Sequence, residues 1–474
     1  MTTIAGSASP SAKKPGDDVA IAGSRRFNAT QAGIVFLGVL ARILFILGWT
    51  IGAPLRGDPL FFQQAALRIA HGHGYVNSFL EKGSLVPTAV HPPVFPVVLA
   101  ALDLLGIQSA DAHRIALAIL SAGGVLAMGM LGRRLAGPTV GLVAAGIAAL
   151  DPLWIQQSGF LMSESIYLII IPTMLVFALR CIDRPNRWDF AVLGVLIGLA
   201  TLTRSEAVDF VVLLGVPVVL LSVRPWRERL VFGLVLVAGV ALLLGPWLAR
   251  DDVKMGALIL STNGGDTLSG SYCPPTYSPK NPTYGGFDDD CQFGLAAVIV
   301  TYKRPPNHAR NWTERTLSGE LSSLAKNYAL SHLSDLPGVV LAREGRAWGV
   351  YAPGAQLVFD INEDGNGAPG PKRAGQAMNW VLLPLAVLGG VQLARRSRRR
   401  LLLVAVPLVV VAINAAVFYG STRIRTAAEP SIAVLAAVGI VFLLTCLRRA
   451  RRPGVPNRST VVTDSAELTR PVAN

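Results

Sequence analysis

The chain has 474 residues, 52% of them hydrophobic and only 15% charged, with a mean hydropathy of +0.49. A soluble domain carries about 25% charged residues, so the composition excludes one and points to an all-α, multi-pass membrane protein. The net charge of +14 is spread over short Lys/Arg clusters at the ends of apolar runs, which argues against a nucleic-acid-binding surface.

In chain order, the polar N-terminal tail (1–30) lacks the apolar centre of a cleavable signal peptide, so the first apolar run is expected to remain as a span. About ten spans are predicted, at 31–52, 112–131, 139–153, 160–179, 190–202, 208–223, 230–247, 380–393, 401–418 and 431–446. Basic clusters set their sidedness. Lys13, Lys14, Arg25 and Arg26 precede the first span; Arg133 and Arg134 follow the second; Arg180, Arg184 and Arg187 follow the fourth. Others are Arg224, Arg227 and Arg229, the run 395–400 and the run 448–452. With ten spans all of them fall inside, together with both termini. The apolar stretch 94–105 is an eleventh candidate, but counting it would put Arg133 and Arg134 outside, and about a dozen residues is short for a span. It is read as a juxtamembrane helix. The resulting organisation is a transmembrane module (31–248) with a long first external loop (53–111), an extracytoplasmic subdomain (249–378), C-terminal membrane helices (379–447) and a polar, disordered cytoplasmic tail (448–474).

Several polar residues stand out against this background. Asp58 falls just beyond the first predicted span, where a carboxylate can take a proton from an attacking hydroxyl; the competing reading is an Asp-Pro turn or a pair with Arg56. Glu164, near the top of a membrane helix, is costly unless it faces a polar cavity, or else it is a first-turn acid favoured by the helix dipole. Arg204 can grip a phosphate with its planar fork or simply pair with Glu206. Arg423 and Arg425 lie on the external side against the charge bias, which a phosphate headgroup would explain. Asn263 belongs to a Gly-rich polar turn that could hold a sugar. Arg343, Arg346 and Trp348 either touch substrate or belong to a structural amphipathic helix. His71, His73 and His91 lack a standard metal-ligand spacing. The run 360–365 mimics the start of a calcium loop, yet its twelfth position is Pro371. Cys273 and Cys291 share the large external segment, where a disulfide is permitted, and Cys181 and Cys446 read as unpaired.

Taken in order, Asp58, Gly74-Tyr75, Pro92-Pro93-Val94-Phe95-Pro96, Ser163-Glu164, Leu202-Thr203-Arg204-Ser205-Glu206 and Gly420-Ser421-Thr422-Arg423-Ile424-Arg425 resemble the motifs of the polyprenyl-phosphate-sugar-dependent membrane glycosyltransferases. These have the GT-C fold; the chain is similar to protein O-mannosyltransferases and the lipid A aminoarabinose transferase. The resemblance runs from about residue 30 to 446. It implies an enzyme of the cell membrane that moves a sugar from a polyprenyl-phosphate donor to an extracytoplasmic glycan, lipid or protein by single displacement with inversion. In that picture Asp58 and Glu164 are catalytic, Arg204, Arg423 and Arg425 bind the donor phosphate, and Tyr75, His91, Glu206 and Asn263 contact substrate. No cofactor is implied, a divalent metal is left open, and nucleic acid is not a partner. Asp58 is followed by Pro59 where the mannosyltransferase branch carries a second acid, so the acceptor class stays open. The alternative is a transporter or lipid-linked-sugar flippase without transfer chemistry, for which the sequence shows no inverted repeat.

Overall fold

The computed structural model describes residues 15–77, 85–222, 224–302, 313–363 and 369–450. The described chain is helical throughout, apart from one isolated bridge between Val76 and Pro87. The predicted C-terminal tail beyond residue 450 and most of the calcium-like run after Glu363 lie outside the described residues.

Seven helices are long and apolar enough to cross a membrane: Gly23–Thr50, Ala110–Ala136, Glu164–Asp183, Trp226–Met255, Pro369–Arg396, Arg398–Val417 and Thr422–Ala450. The pair Pro138–Leu150 and Pro152–Gly159 adds an eighth if it counts as one bent span. The expected ten is thus not reached. Helices do form at the other two places, but Arg187–Thr201 has 15 residues, and the stretch from Val211 is a five-residue π turn running into the six-residue helix Val216–Leu221. At 1.5 Å per residue the longer of them extends about 22 Å, short of a hydrocarbon core of about 30 Å. A hydropathy window registers greasiness but not the turns that end a helix.

Lipid gives little hydrophobic drive for helix association, so the bundle relies on close backbone approach. A Cβ on Gly389 would lie 1.8 Å from the Leu435 carbonyl oxygen, and one on Gly194 would lie 2.1 Å from that of Leu236. Only glycine permits these two crossings. The bent pair turns by 50° at Asp151, whose side chain accepts from the Leu153 amide at 2.8 Å and restarts the helix. On the other side of the break the buried Arg42 donates to the carbonyls of Ala148 and Ala149 at 2.9 and 3.0 Å. Backbone groups freed by the bend are therefore satisfied within the protein, the condition for an interrupted helix at membrane depth.

Two ends of the bundle differ in chemistry. At one, Arg134 and Arg400 both bind Asp183, at 3.2 and 3.1 Å, so basic clusters from three separate parts of the chain gather together. Glu164 opens the 20-residue helix that ends at Asp183, which places it about 30 Å away at the other end. There the helices Gly57–Ala70 and Val94–Leu104 pack against each other. The second has 11 residues and extends about 16 Å, too short to cross. Above them Asn263–Ser271 packs on Glu314–Ser331, and a disulfide joins Cys273 to Cys291. Cys181 and Cys446 are free.

Candidate active site

At the end of the bundle marked by Glu164, residues far apart in sequence surround a cavity of about 380 Å³, within the range of small-molecule sites. Asp58 is the second residue of Gly57–Ala70, reached through Gly57 at φ +52°, a conformation that favours glycine. Its Oδ2 accepts from Arg423 Nη2 at 2.7 Å and its Oδ1 lies 3.2 Å from His91 Nε2. His91 is aimed by its surroundings: Phe61 and Phe62 pack on the imidazole with centroids 5.1 and 4.9 Å away. Tyr75 is set back from the cavity and donates its hydroxyl to the His91 carbonyl at 2.8 Å.

Arg423 is shared. Its Nε donates to Glu164 Oε1 at 2.5 Å while Nη2 holds Asp58. Glu164, buried in the first turn of its helix, also accepts from Arg204, and Arg204 in turn pairs with Glu206. Ser163 donates to the remaining Glu164 oxygen at 3.1 Å. Arg204 thus pairs with Glu206, as one sequence reading expected, while it also lines the cavity. Asn263 opens its helix on the far wall, its amide bonded to Ser261 Oγ at 3.0 Å, and Ser261 ties that wall to the first loop through the Val90 carbonyl.

Arg425 is not brought to this cavity. It is 1% exposed, with Nε on Glu429 at 2.7 Å and Nη1 on the Ala347 carbonyl at 3.0 Å. Residues two apart on a helix point to nearly opposite sides, so an Arg-x-Arg pair in helical conformation offers one guanidinium to each side. Arg343 and Arg346 follow their structural alternative. Arg343 donates to Ser271 and Ala416 carbonyls at 2.8 and 2.9 Å, Arg346 to that of Tyr284 at 2.7 Å. Trp348 bonds Glu344 at 2.9 Å.

Three site-related residues escaped the sequence reading. Asp209 and Asn414 line the cavity and are joined at 3.0 Å; an Asn inside an otherwise apolar run was the signal available. Glu314 gathers the first loop to the external subdomain, accepting from Asn77 Nδ2, the Ala89 amide and Thr262 Oγ1 at 2.5, 3.0 and 3.2 Å. Locally it reads as an ordinary helix-opening acid.

Burial alone would raise the Asp58 carboxyl, but His91 and the Arg423 guanidinium hold it well below the usual carboxylate range. Asp266, on the far wall's helix, is pushed up to about 6 by burial and by Glu314.

Residues 90–249, about a third of the chain, match a family model described as dolichyl-phosphate-mannose-protein mannosyltransferase. No curated protein matches the chain in sequence. Among solved structures, the Archaeoglobus fulgidus oligosaccharyltransferase AglB, in complex with an inhibitory peptide and a dolichol-phosphate, superposes over 90% of this chain and 52% of its own, with a TM-score of 0.50 and 14% identity. The same enzyme in complex with Zn and sulfate matches at 15% identity and TM-score 0.50 over 89% and 50%. ArnT from Cupriavidus metallidurans, bound to undecaprenyl phosphate, aligns over 90% and 80% at 15% identity, with a TM-score of 0.37. The chain thus spans about half the length of the oligosaccharyltransferase. Its fold is GT-C-like. Within that class, its segment 90–249 carries the sequence pattern of the dolichyl-phosphate-mannose-dependent mannosyltransferase family.

Among the described residues, Cys273, Asp288 and Cys291 form the only group of three potential ligands within 4.8 Å of one another, and its two sulfurs are bonded to each other.

Proposed function

We propose that this chain is a membrane glycosyltransferase that moves one sugar from a polyprenyl-phosphate donor to an acceptor hydroxyl at the cavity, in a cell membrane with both termini on the cytoplasmic side. The observation that carries the reading is the unbroken chain of contacts His91–Asp58–Arg423–Glu164–Arg204–Glu206, whose members other than the buried Glu164 line a 380 Å³ cavity. The same cavity is also lined by Val208, Ile413, Val417, Phe418 and Ile424. A phosphate joined to a polyprenyl chain needs both kinds of wall.

In the proposed reaction the acceptor oxygen attacks the anomeric carbon and gives its proton to Asp58. The bond from that carbon to the phosphate oxygen breaks with inversion, and its electron pair leaves with the polyprenyl phosphate. Arg423 and Arg204 are placed to take the charge that grows on the leaving oxygen. Glu164 holds both guanidiniums in position, and Asn263 and Glu206 are available for hydroxyls of the sugar or acceptor. Tyr75, whose hydroxyl bonds the His91 backbone carbonyl, takes a positioning role through that residue. Arg425 is reassigned to structure.

Asp58 in the ligand-free arrangement is ionised but weakly basic, because Arg423 engages it. A donor phosphate that draws Arg423 toward itself would release Asp58 and raise its basicity where the acceptor arrives. Donor binding and base activation are then one event.

The test is transfer of radiolabelled sugar from individual polyprenyl-phosphate sugars to acceptors by the purified protein in lipid nanodiscs supplemented with envelope extract. Incorporation from one donor class, abolished by denaturation, is the expected result. Movement of labelled donor across proteoliposomes with no sugar transferred would replace the enzyme reading with a transporter.

A further inference from the structure

At the end of the bundle away from the catalytic cavity lies a second recess of about 740 Å³, lined by Arg134, Arg180, Arg184, Arg400, Asp183 and Asp189, with Asn186 at its edge. Its arginines come from three places in the chain. Arg134 lies in the last turn of Ala122–Ala136, Arg180 and Arg184 at the end of Glu164–Asp183, and Arg400 in the first turn of Arg398–Val417. Nothing in the transfer chemistry requires this convergence some 30 Å from Glu164.

The balance of charge and of donors decides what the recess accepts. Four guanidiniums face two carboxylates, a surplus of two positive charges. Asp183 is held by Arg134 and Arg400, and Asp189 by Arg180 at 2.7 Å and by Asn186 Nδ2 at 2.7 Å. Arg184 pairs with no acid among the described residues. Each guanidinium has five N–H donors, and Arg134 and Arg180 each place one on a carboxylate. Asp183 and Asp189 thus brace a set of forks; Arg400 also spends Nη1 on the Arg134 and Leu135 carbonyls, which leaves N–H groups of Arg134, Arg180 and Arg184 to meet a ligand. Asn186 caps Arg187–Thr201 at the same edge, adding the positive end of a helix.

From this convergence we infer that the recess is a binding site for a phosphate group, supplied by an anionic lipid headgroup or by a free phosphate ester. Guanidinium forks match phosphate oxygens in pairs, and basic pockets between membrane helices at a membrane surface hold lipid headgroups of this kind. The site is separate from the donor cavity and does not depend on the transfer reaction.

The test uses the full-length protein purified in phosphatidylcholine nanodiscs with and without phosphatidylglycerol, with lipid retention read by native mass spectrometry. The variant is R134Q/R184Q, which leaves Asp183 on Arg400 and Asp189 on Arg180, so both acids keep a partner. Retained phosphatidylglycerol should fall by about 30-fold, at the typical contribution of a basic residue near anionic lipid. R134K/R184K, which keeps charge but not the forks, should fall between. An unchanged melting temperature in pure phosphatidylcholine shows that the double variant is folded; should it unfold, single R184Q, whose side chain has no acid partner to strand, carries the same comparison with a smaller loss. Displacement of the lipid by inorganic phosphate at millimolar levels assigns the site to free phosphate esters, and resistance to displacement assigns it to the headgroup. Equal lipid and phosphate binding by wild type and both Gln variants overturns the proposal.

Discussion

Replacing Asp58 with Asn separates the two duties that the geometry gives to one wall of the cavity. The amide keeps the size of the carboxylate and can still accept one hydrogen bond from Arg423 Nη2, now 2.7 Å away, so the loop should not collapse. It cannot take a proton from an acceptor hydroxyl. Loss of a positioned general base costs on the order of a hundred- to ten-thousand-fold, and turnover should drop by that amount. Donor affinity should move the other way. Asp58 competes with the donor phosphate for Arg423, and a hydrogen bond to a charged group is worth about 1.5–3 kcal/mol, so easing that competition should tighten donor binding by up to about tenfold. The assay pairs sugar transfer with equilibrium displacement of a labelled polyprenyl phosphate by the same preparation. Arg423→Ala is the contrasting control, because it should weaken donor binding. Full transfer by D58N removes the base assignment. Donor binding lost in parallel with transfer would make Asp58 a structural strut.

The depressed Asp58 carboxyl also fixes a pH signature. In the free protein the group stays ionised as pH falls through the ordinary carboxylate range, so kcat/KM should remain flat there, whereas kcat, governed by the donor complex in which phosphate draws Arg423 away, should decline at higher pH; coincident acid limbs would contradict the exchange. Arg425→Ala strands Glu429, 4% exposed in its side chain, and the loss of one partner of a buried pair costs about 3–5 kcal/mol, so thermal stability should fall sharply while donor affinity of the surviving folded protein holds; a selective loss of donor affinity would return Arg425 to the binding site. Removing the Cys273–Cys291 bond, across a separation of 18 residues, should cost about 3 kcal/mol by loop entropy, read by thermal unfolding of the double Ser variant, and free alkylation of both thiols in unreduced wild type would show the bond to be absent. Leu105→Cys, at a position 76% exposed, should react with an impermeant maleimide from outside intact cells, and labelling only after permeabilisation would overturn the placement of Val94–Leu104 outside the membrane.

The exchange proposed at Arg423 would account for the crowding of acids around the two cavity arginines. Asp58, Glu206 and Asp209 line the cavity together with two arginines, Arg204 and Arg423, and the buried Glu164 bonds both arginines. Left alone, such an arrangement repels an anion, so the arginines must change partners when one arrives. Glu164 serves as the fixed anchor because it is buried and bonded by both arginines and by Ser163. Asp58 is the releasable partner: its side chain is 27% exposed and depends on Arg423 and His91. On the proposed mechanism, the difference in solvation, rather than in residue type, would divide the two carboxylates into a positioning group and a base.

That division was beyond the reach of the sequence, although the residues themselves were visible there. Asp58, Glu164, Arg204 and Arg423 each violate the pattern expected of their place, an acid or cation where apolar residues or neutral loop should stand, and such violations are local and readable. Which of them meet depends on helix phase and tertiary packing. The Arg-x-Arg pair shows the limit: as a string it offers two equivalent cations, and only the helical conformation of Thr422–Arg425 turns one to the cavity and the other to Glu429. Span number fails for a related reason. The runs 190–202 and 208–223 are apolar, but the first is a 15-residue helix and the second is broken into a π turn at Val211–Gly215 and the short helix Val216–Leu221. Where a helix stops is set by backbone geometry that hydropathy averages away. Glu314 is the extreme case. Its three partners, Asn77, Ala89 and Thr262, lie as many as 237 residues distant along the chain, and a helix-opening acid carries no local mark of the loop it will hold.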